Sequence, residues 1–213
     1  MRSRLAVALD VTLVICAVAT SVAVVGSRLT PSTGPITEKM RFKGWKQDLE
    51  FPRHIGSANG PYRLVVWTDY QCPACKQFET SMDTVRARLK DSLTIVYRHL
   101  PLDAHPLAFK AAMVAECARA QGQFEVMHHA LFRSRLAGDT LPLDDLFAET
   151  RAVNVDALKH CLADTSAAAA VRLDLARAAE IGLHATPSIQ VGNKITSGGR
   201  PAEQMIALIR SAR

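Results

Sequence analysis

The chain has 213 residues, a length that accommodates one ordinary domain and little more. Hydrophobic residues make up 48% of it, so a sizeable core can be buried once the N-terminus is set aside. The net charge of +6 is modest, and the basic residues are scattered rather than arranged in a stripe with aromatics. This pattern argues against a nucleic-acid partner. Solubility or contact with an anionic membrane surface explains the charge equally well.

The N-terminus has the pattern of a targeting segment. Arg2 and Arg4 precede the apolar stretch Leu5–Gly26, which is long enough to cross a bilayer as a helix. Basic residues at the start place the N-terminus in the cytoplasm and the rest outside. We interpret residues 1–26 as a signal anchor, a single-pass transmembrane helix, because the apolar run outlasts an ordinary signal core. The alternative is a cleaved signal peptide, which would leave a secreted or periplasmic protein.

Residues 27–60 are rich in Pro, Gly, Ser and charged residues and show no sustained hydrophobic period. Ser27–Thr37 is interpreted as a tether and Glu38–Gly60 as an N-terminal extension with one short strand. Gly60-Pro61 separates this extension from the core domain, residues 61–213.

A pair of cysteines lies between a predicted strand and a predicted helix. The β-favouring run Leu64–Trp67 leads into Cys72-Pro73-Ala74-Cys75, and Lys76–Lys90 carries apolar residues at helical spacing. Strand, CxxC, helix is the context in which a single CxxC indicates a dithiol redox site. The positive end of the helix favours a thiolate on Cys72, and Pro73 suits the first turn.

Two other interpretations of this CxxC are less favoured. A structural zinc site usually needs four ligands, and the chain has no second CxxC and no second set of Cys and His residues at zinc-ligand spacing. A purely structural disulfide at this spacing closes so short a loop that it removes little chain entropy.

The remaining pattern predicts an α/β domain with a helical insertion. Leu93–Tyr97 is a second strand, so strand, helix and strand form a βαβ unit with parallel strands. From about residue 106 to residue 180 the apolar residues recur at helical spacing, and Gly182 stands where helices terminate. Ser188–Val191 and a short partner strand follow, and the chain ends in a helix.

The chain resembles the DsbA-like branch of the thioredoxin superfamily over about residues 60–213. The resemblance is carried by TDYQCPAC, by YRHLPLDAHPLAFKAA, by the helical insertion and by ATPSIQVGNK before the last helix. It implies a thioredoxin-like fold in which Pro187 is cis and packs against the active-site disulfide. Thr186 and Pro187 would then pair with an extended substrate chain. From sequence alone, Pro187 is equally well read as an edge-strand proline.

The resemblance also implies an activity. A substrate thiolate would attack Cys72, and Cys75 would act as its partner and resolving cysteine. We therefore expect an extracytoplasmic thiol–disulfide oxidoreductase that forms disulfides in exported proteins with free thiols. A membrane quinone-linked thiol oxidase would reoxidise it; we expect a monomer with no cofactor and no metal. The alternatives are a disulfide isomerase or reductase, or a peptide- or metal-binding module without catalysis.

The sequence departs from the family pattern at two positions. Ala74 stands where the strongest oxidants carry His, which predicts a less stabilised thiolate and a less oxidising couple. Val66 stands where many relatives carry a buried acid. Asp69 is the nearest carboxylate in sequence, so it joins Pro73 and Ala74 as a residue expected to tune the active site.

Two further cysteines and several histidines remain. Some relatives join cysteines at the positions of Cys117 and Cys161, so the resemblance implies a structural disulfide; two buried free thiols are the alternative. His105 and His184 are weak candidates for contact with the active site. Three other histidines are expected on the surfaces of helices: His128, His129 and His160.

Overall fold

The computed structural model describes residues 44–134, 136, 140–151 and 153–211. Its strands are β1 (His54–Gly56), β2 (Tyr62–Thr68), β3 (Leu93–His99), β4 (Ser188–Val191) and β5 (Lys194–Ser197). Its α-helices are α1 (Trp45–Asp48), α2 (Pro73–Leu89), α3 (Ala108–Arg119), α4 (Phe124–Arg133), α5 (Leu143–Glu149), α6 (Val155–Ala163), α7 (Ser166–Glu180) and α8 (Ala202–Ser211). The predicted anchor, residues 1–26, lies outside the described residues. Within them, no helix combines the length and hydropathy that a bilayer crossing needs.

The strands form one sheet in the order β1-β3-β2-β4-β5. β2 and β3 are parallel and are joined by α2, as the βαβ prediction requires, while the other neighbouring pairs are antiparallel. Because β2 and β3 are parallel, their final residues Thr68 and His99 lie in register at one edge of the sheet. There the N–H of Leu100 donates to the carbonyl of Thr68 at 2.8 Å. The CxxC loop begins at this edge.

Side chains along β2 alternate between two cores. Leu64 and Val66 pack in the larger core, with residues of α2, α8 and the insertion. Val65 and Trp67 pack in the smaller core, which includes Ala178 of α7. Since successive strand residues point to opposite faces, β2 is covered on both sides. This explains why it is a continuous apolar run rather than an alternating one.

The helical insertion, α3 to α7, lies between β3 and β4 and agrees with the prediction of about residues 106–180. Cys117 on α3 and Cys161 on α6 form the disulfide that the resemblance implied, with 5.7 Å between their Cα atoms. Closing a loop of 44 residues stabilises the fold by about 4 kcal/mol in the chain-entropy model. Gly182 ends α7 with a φ of 67°, in the left-handed region that glycine favours.

A buried network of charged side chains holds the insertion and the N-terminal extension on the sheet. Arg53 of the extension pairs with Glu116 on α3 and with Asp174 on α7. Arg98 Nε lies 2.7 Å from Asp174 Oδ1, and His99 Nε2 lies 3.0 Å from Glu116 Oε1. All five side chains are at most 4% exposed. The described part of the extension, residues 44–60, is therefore part of the fold, and its predicted short strand is β1.

Candidate active site

The two cysteines of the CxxC occupy the first turn of α2. Cys72 is the N-cap with extended backbone, and Pro73 begins the helix where no N–H partner is needed. The N–H of Lys76 donates to the carbonyl of Cys72 at 3.1 Å, which closes the turn. Both cysteines are free thiols in this structure. Cys75 is fully buried and Cys72 is 7% exposed, so Cys72 is the sulfur of the pair that a second molecule can reach.

The environment separates the acidities of the two thiols. The pKa of Cys72 is lowered to about 5, chiefly by a hydrogen bond from Cys75 and also by Thr186 and the N–H groups of Cys75 and Ala74, against the opposing effect of burial. Burial raises the pKa of Cys75, and the hydrogen bond that its thiol donates to the Cys72 sulfur raises it too. Near neutral pH the pair therefore consists of a thiolate at Cys72 and a thiol at Cys75 that donates to it.

The segment before β4 stands against the reactive sulfur. The Thr186-Pro187 peptide bond is cis, as the resemblance implied. The Sγ atom of Cys72 lies 3.7 Å from the carbonyl oxygen of Thr186. The N–H of Gly198 donates to the carbonyl of Pro187 at 2.8 Å, which ties this segment to the end of β5. Residues more than a hundred positions apart in sequence thus meet at one edge of the sheet.

Asp69 holds two loops together beneath the thiols. Its Oδ1 accepts from the N–H groups of Gln71 at 2.7 Å and Cys72 at 3.1 Å. Its Oδ2 accepts from the N–H of Leu102 at 2.9 Å and from Nδ1 of His105 at 2.7 Å. The carboxylate is fully buried, and it is occupied by donors on both oxygens. Asp69 thus fixes the CxxC loop to the loop after β3, and His105 takes part in that contact.

A second buried polar cluster lies beside the active-site helix. Tyr70, two residues before Cys72, has its hydroxyl 3.0 Å from Nδ1 of His128. His128 Nε2 lies 3.4 Å from Oε2 of Glu79, which also accepts from the Tyr97 hydroxyl at 3.1 Å. Burial alone would raise the pKa of Glu79, but His128 and nearby cationic and hydroxyl groups hold it below its usual range. Glu79 therefore provides a buried carboxylate one turn beyond Cys75 on α2.

The prediction that His128 lies on the surface was wrong, because its side chain is fully buried. His128 follows Phe124 by four residues and precedes Phe132 by four, so it belongs to the apolar face of α4. Glu79 likewise follows Cys75 by four residues. A charged or titratable residue in step with an apolar helical stripe was the signal available in the sequence.

Val66 stands at the position where many relatives carry a buried acid, and its apolar side chain is fully buried. Across the described part of the chain, no three His, Cys, Asp or Glu side chains are grouped in a way that could hold a metal ion.

Known proteins resemble this chain in sequence. Residues 49–211 match the family model described as Thioredoxin. A protein named Na(+)/H(+) antiporter NhaA 1 from Mycolicibacterium gilvum is 32% identical over 163 residues, which are 74% of this chain and 26% of that protein. Its namesake from Mycobacterium sp. (strain KMS) is 34% identical over 167 residues, 75% of this chain and 27% of that one. The chain spans about a quarter of these relatives, so their name describes far longer proteins.

Solved structures resemble it in fold. A thioredoxin-like oxidoreductase from Silicibacter pomeroyi has a TM-score of 0.65 at 24% identity, covering 75% of this chain and 91% of that one. The thiol-disulfide exchange protein alpha-DsbA2 from Wolbachia pipientis has a TM-score of 0.68 at 15% identity, covering 79% and 92%. With the match to the family model over most of its length, the chain belongs to the thioredoxin family and has the fold of its DsbA-like thiol–disulfide oxidoreductases.

Proposed function

We propose that this chain introduces disulfides into exported polypeptides by thiol–disulfide exchange at Cys72 and Cys75. The observation that carries the proposal is the position of the Cys72 sulfur. It lies at the N-terminus of α2 and accepts a hydrogen bond from Cys75, and its pKa is about 5. A thiol with so low a pKa is a good leaving group and is stable as a thiolate. Both properties favour the reduced enzyme as product, which is what an oxidant of other dithiols requires.

The exchange runs in two steps. In the oxidised enzyme, a substrate thiolate attacks the Cys72 sulfur and breaks its bond to Cys75, which leaves as a thiolate and takes up a proton. A mixed disulfide now joins the substrate to Cys72. A second substrate thiolate attacks the substrate sulfur of that bond, and Cys72 leaves as a thiolate. The substrate loses two electrons to the enzyme, which ends as the dithiol.

Reoxidation and location complete the proposal. The dithiol needs an oxidant, for which we propose a membrane quinone-linked thiol oxidase. The Cys117–Cys161 disulfide supports an oxidising compartment, since such bonds are rare in the cytosol. The basic residues before the apolar N-terminal stretch support export with the catalytic domain outside the cytoplasm, held there by a membrane anchor. We propose that the protein acts as a monomer.

One experiment tests the direction of the reaction. Oxidised wild type, or Cys72→Ala in its place, is mixed with a reduced, unfolded substrate protein that needs several disulfides. The regain of the substrate protein's activity is followed in both reactions. We expect stoichiometric disulfide formation by the wild type and none by the variant. If the wild type instead reshuffles a scrambled substrate or reduces insulin more efficiently, the protein is an isomerase or reductase. If Cys72→Ala matches the wild type in every assay, the site is not catalytic.

A further inference from the structure

The loop after β3 carries a histidine that the exchange reaction described above does not use. His105 Nδ1 donates to Oδ2 of Asp69 at 2.7 Å, and the imidazole is 22% exposed. The ring is therefore held at one nitrogen while part of it is open to water. Such an imidazole can take up a second proton on its other nitrogen and become a cation without losing its bond to the carboxylate.

The partner of this histidine contacts both cysteines. Oδ1 of Asp69 accepts from the N–H of Cys72 at 3.1 Å. The N–H of Asp69 donates to the Cys75 sulfur, where it opposes the rise in the pKa of Cys75. Because the Asp69 side chain is fully buried, its negative charge is poorly screened by water. A change in the net charge of Asp69 and His105 therefore acts on the thiol pair.

The sign of that effect follows from the charge of the two redox states. Near neutral pH the reduced site carries a thiolate at Cys72, because the pKa of that thiol is about 5, whereas the disulfide is uncharged. The carboxylate of Asp69 opposes a further negative charge beside it and so favours the disulfide. A protonated His105 makes the pair neutral and removes that opposition.

Other polar groups around the thiols have different partners. Ala74 offers no donor from its side chain. The ammonium of Lys76 lies 3.3 Å from two carbonyls at the end of α4. His128 is paired with Glu79. His105 differs from all of these, because its partner is the carboxylate that contacts both cysteines.

We propose that His105 is a positioning residue that makes the Cys72–Cys75 couple more oxidising: as a cation it neutralises Asp69 and thereby favours the dithiol form. The inference deepens the proposed function and rests on this pair being a redox couple. It also supplies positive charge to a site in which Ala74 takes the place of the histidine of the strongest oxidants.

The test is the equilibrium with glutathione at about pH 6. Two glutathione thiols pass two electrons to the enzyme disulfide and become glutathione disulfide. One of their protons ends on Cys75, and the other is released because Cys72 remains a thiolate. The ratio of dithiol to disulfide enzyme is measured by alkylation and mass spectrometry across a series of glutathione ratios.

Four variants separate the charge from the attachment of the loop. His105→Asn keeps an N–H donor for Asp69 but has no charge, and His105→Lys keeps both donor and charge. Gln71 accepts from the N–H of Leu107 at 2.7 Å, so Gln71→Ala loosens the same loop without changing any charge. His160→Asn is the matched control, because it makes the same substitution at an exposed histidine on α6.

We expect His105→Asn to shift the equilibrium towards the disulfide by about three- to tenfold, as loss of one partly screened charge allows. His105→Lys, Gln71→Ala and His160→Asn should stay close to the wild type. The pH midpoint of Cys72 alkylation should rise in His105→Asn alone. Equal equilibria and midpoints for the wild type and His105→Asn overturn the inference. So does a shift in His105→Lys or Gln71→Ala as large as that in His105→Asn.

The same measurements distinguish this inference from the proposed function. If wild-type Cys72 and Cys75 form no disulfide at any glutathione ratio, both fall. If the wild type is a reversible couple that His105→Asn leaves unchanged, only the role of His105 falls. If the variants follow the expected order but the wild type does not oxidise a reduced substrate protein, the role of His105 stands and the proposed direction of the reaction falls.

Discussion

The Cys72 sulfur and the Thr186 carbonyl oxygen are 3.7 Å apart, although the residues are separated by 114 positions in sequence. The sulfur is thereby placed between the N-terminus of α2 and the segment before β4. A substrate that approaches Cys72 must also approach the backbone of Thr186. Chemistry and substrate binding are thus linked at a single contact.

The first prediction concerns the thiolate. In the reduced protein, alkylation of Cys72 by iodoacetamide should rise with pH around a midpoint of about 5, far below the ordinary thiol value of 9.0. Cys75→Ala removes the hydrogen bond that contributes most, so its midpoint should move upward. Mass spectrometry of the alkylated peptide against pH provides the measurement. A wild-type midpoint near that of an ordinary thiol contradicts the assigned geometry.

Replacing the residue before Cys75 should alter the redox balance. Ala74→His places a donor and partial positive charge near the Cys72 sulfur, which stabilises the reduced form further. A tenfold shift in the exchange equilibrium corresponds to about 30 mV, and we expect an increase in potential of this order. Equilibration with glutathione buffers measures it. Ala74→Gln controls for side-chain size, and an unchanged potential in Ala74→His refutes the argument.

Much of the fold was predictable because its signals are local. The apolar run of β2, the helical spacing of α2 and the stop at Gly182 each depend on neighbours in sequence. Helix α1 and the buried position of Arg53 were not predictable from the sequence. Arg53 pairs with Asp174, which is 121 positions away, so no local pattern reports the contact.

The site divides in the same way. The CxxC and its helix follow from spacing, and the resemblance pointed to Thr186 and Pro187. The role of Asp69 as an acceptor for two loops depends on where the chain returns after β3. His128 is buried although its side chain is polar, because it lies four residues from Phe124 on the apolar face of α4.

Asp69 provides a third prediction. Asp69→Asn removes the charge that four donors share, and hydrogen bonds to charged groups contribute about 1.5–3 kcal/mol. We expect a loss of this order in the free energy of unfolding, with faster hydrogen exchange at the N–H groups of Cys72 and Leu102. Asp91→Asn, at an exposed carboxylate, should change neither. Unaltered exchange at both N–H groups would falsify the assigned role.

The disulfide of the insertion can be tested separately from the active site. The double variant Cys117→Ala and Cys161→Ala should lose up to about 4 kcal/mol of unfolding free energy, because the unfolded chain regains the entropy of an open loop. Exchange at Cys72 should persist. Denaturant unfolding measures the first effect, and non-reducing peptide mapping of the wild type should recover the linked pair. Alkylation of both thiols in the native protein would rule the disulfide out.

The buried charge network predicts a loss of stability in acid. Burial opposes ionisation of Glu116, but His99 and Arg53 dominate and hold its pKa at about 2, below the ordinary 4.5. A carboxylate whose pKa is depressed by folding stabilises the protein above about 4.5, and that contribution disappears as the pH falls towards 2. The free energy of unfolding should therefore fall across this window.

Glu116→Gln should reduce the slope of the unfolding free energy against pH. By leaving Arg53 partly unpaired, it should also cost about 3–5 kcal/mol near neutral pH. Glu203→Gln breaks an exposed pair with Arg88 and should cost less than about 1 kcal/mol with an unchanged slope. Urea unfolding at a series of pH values makes the comparison, and equal slopes for the wild type and Glu116→Gln would show that this network does not set the acid limit.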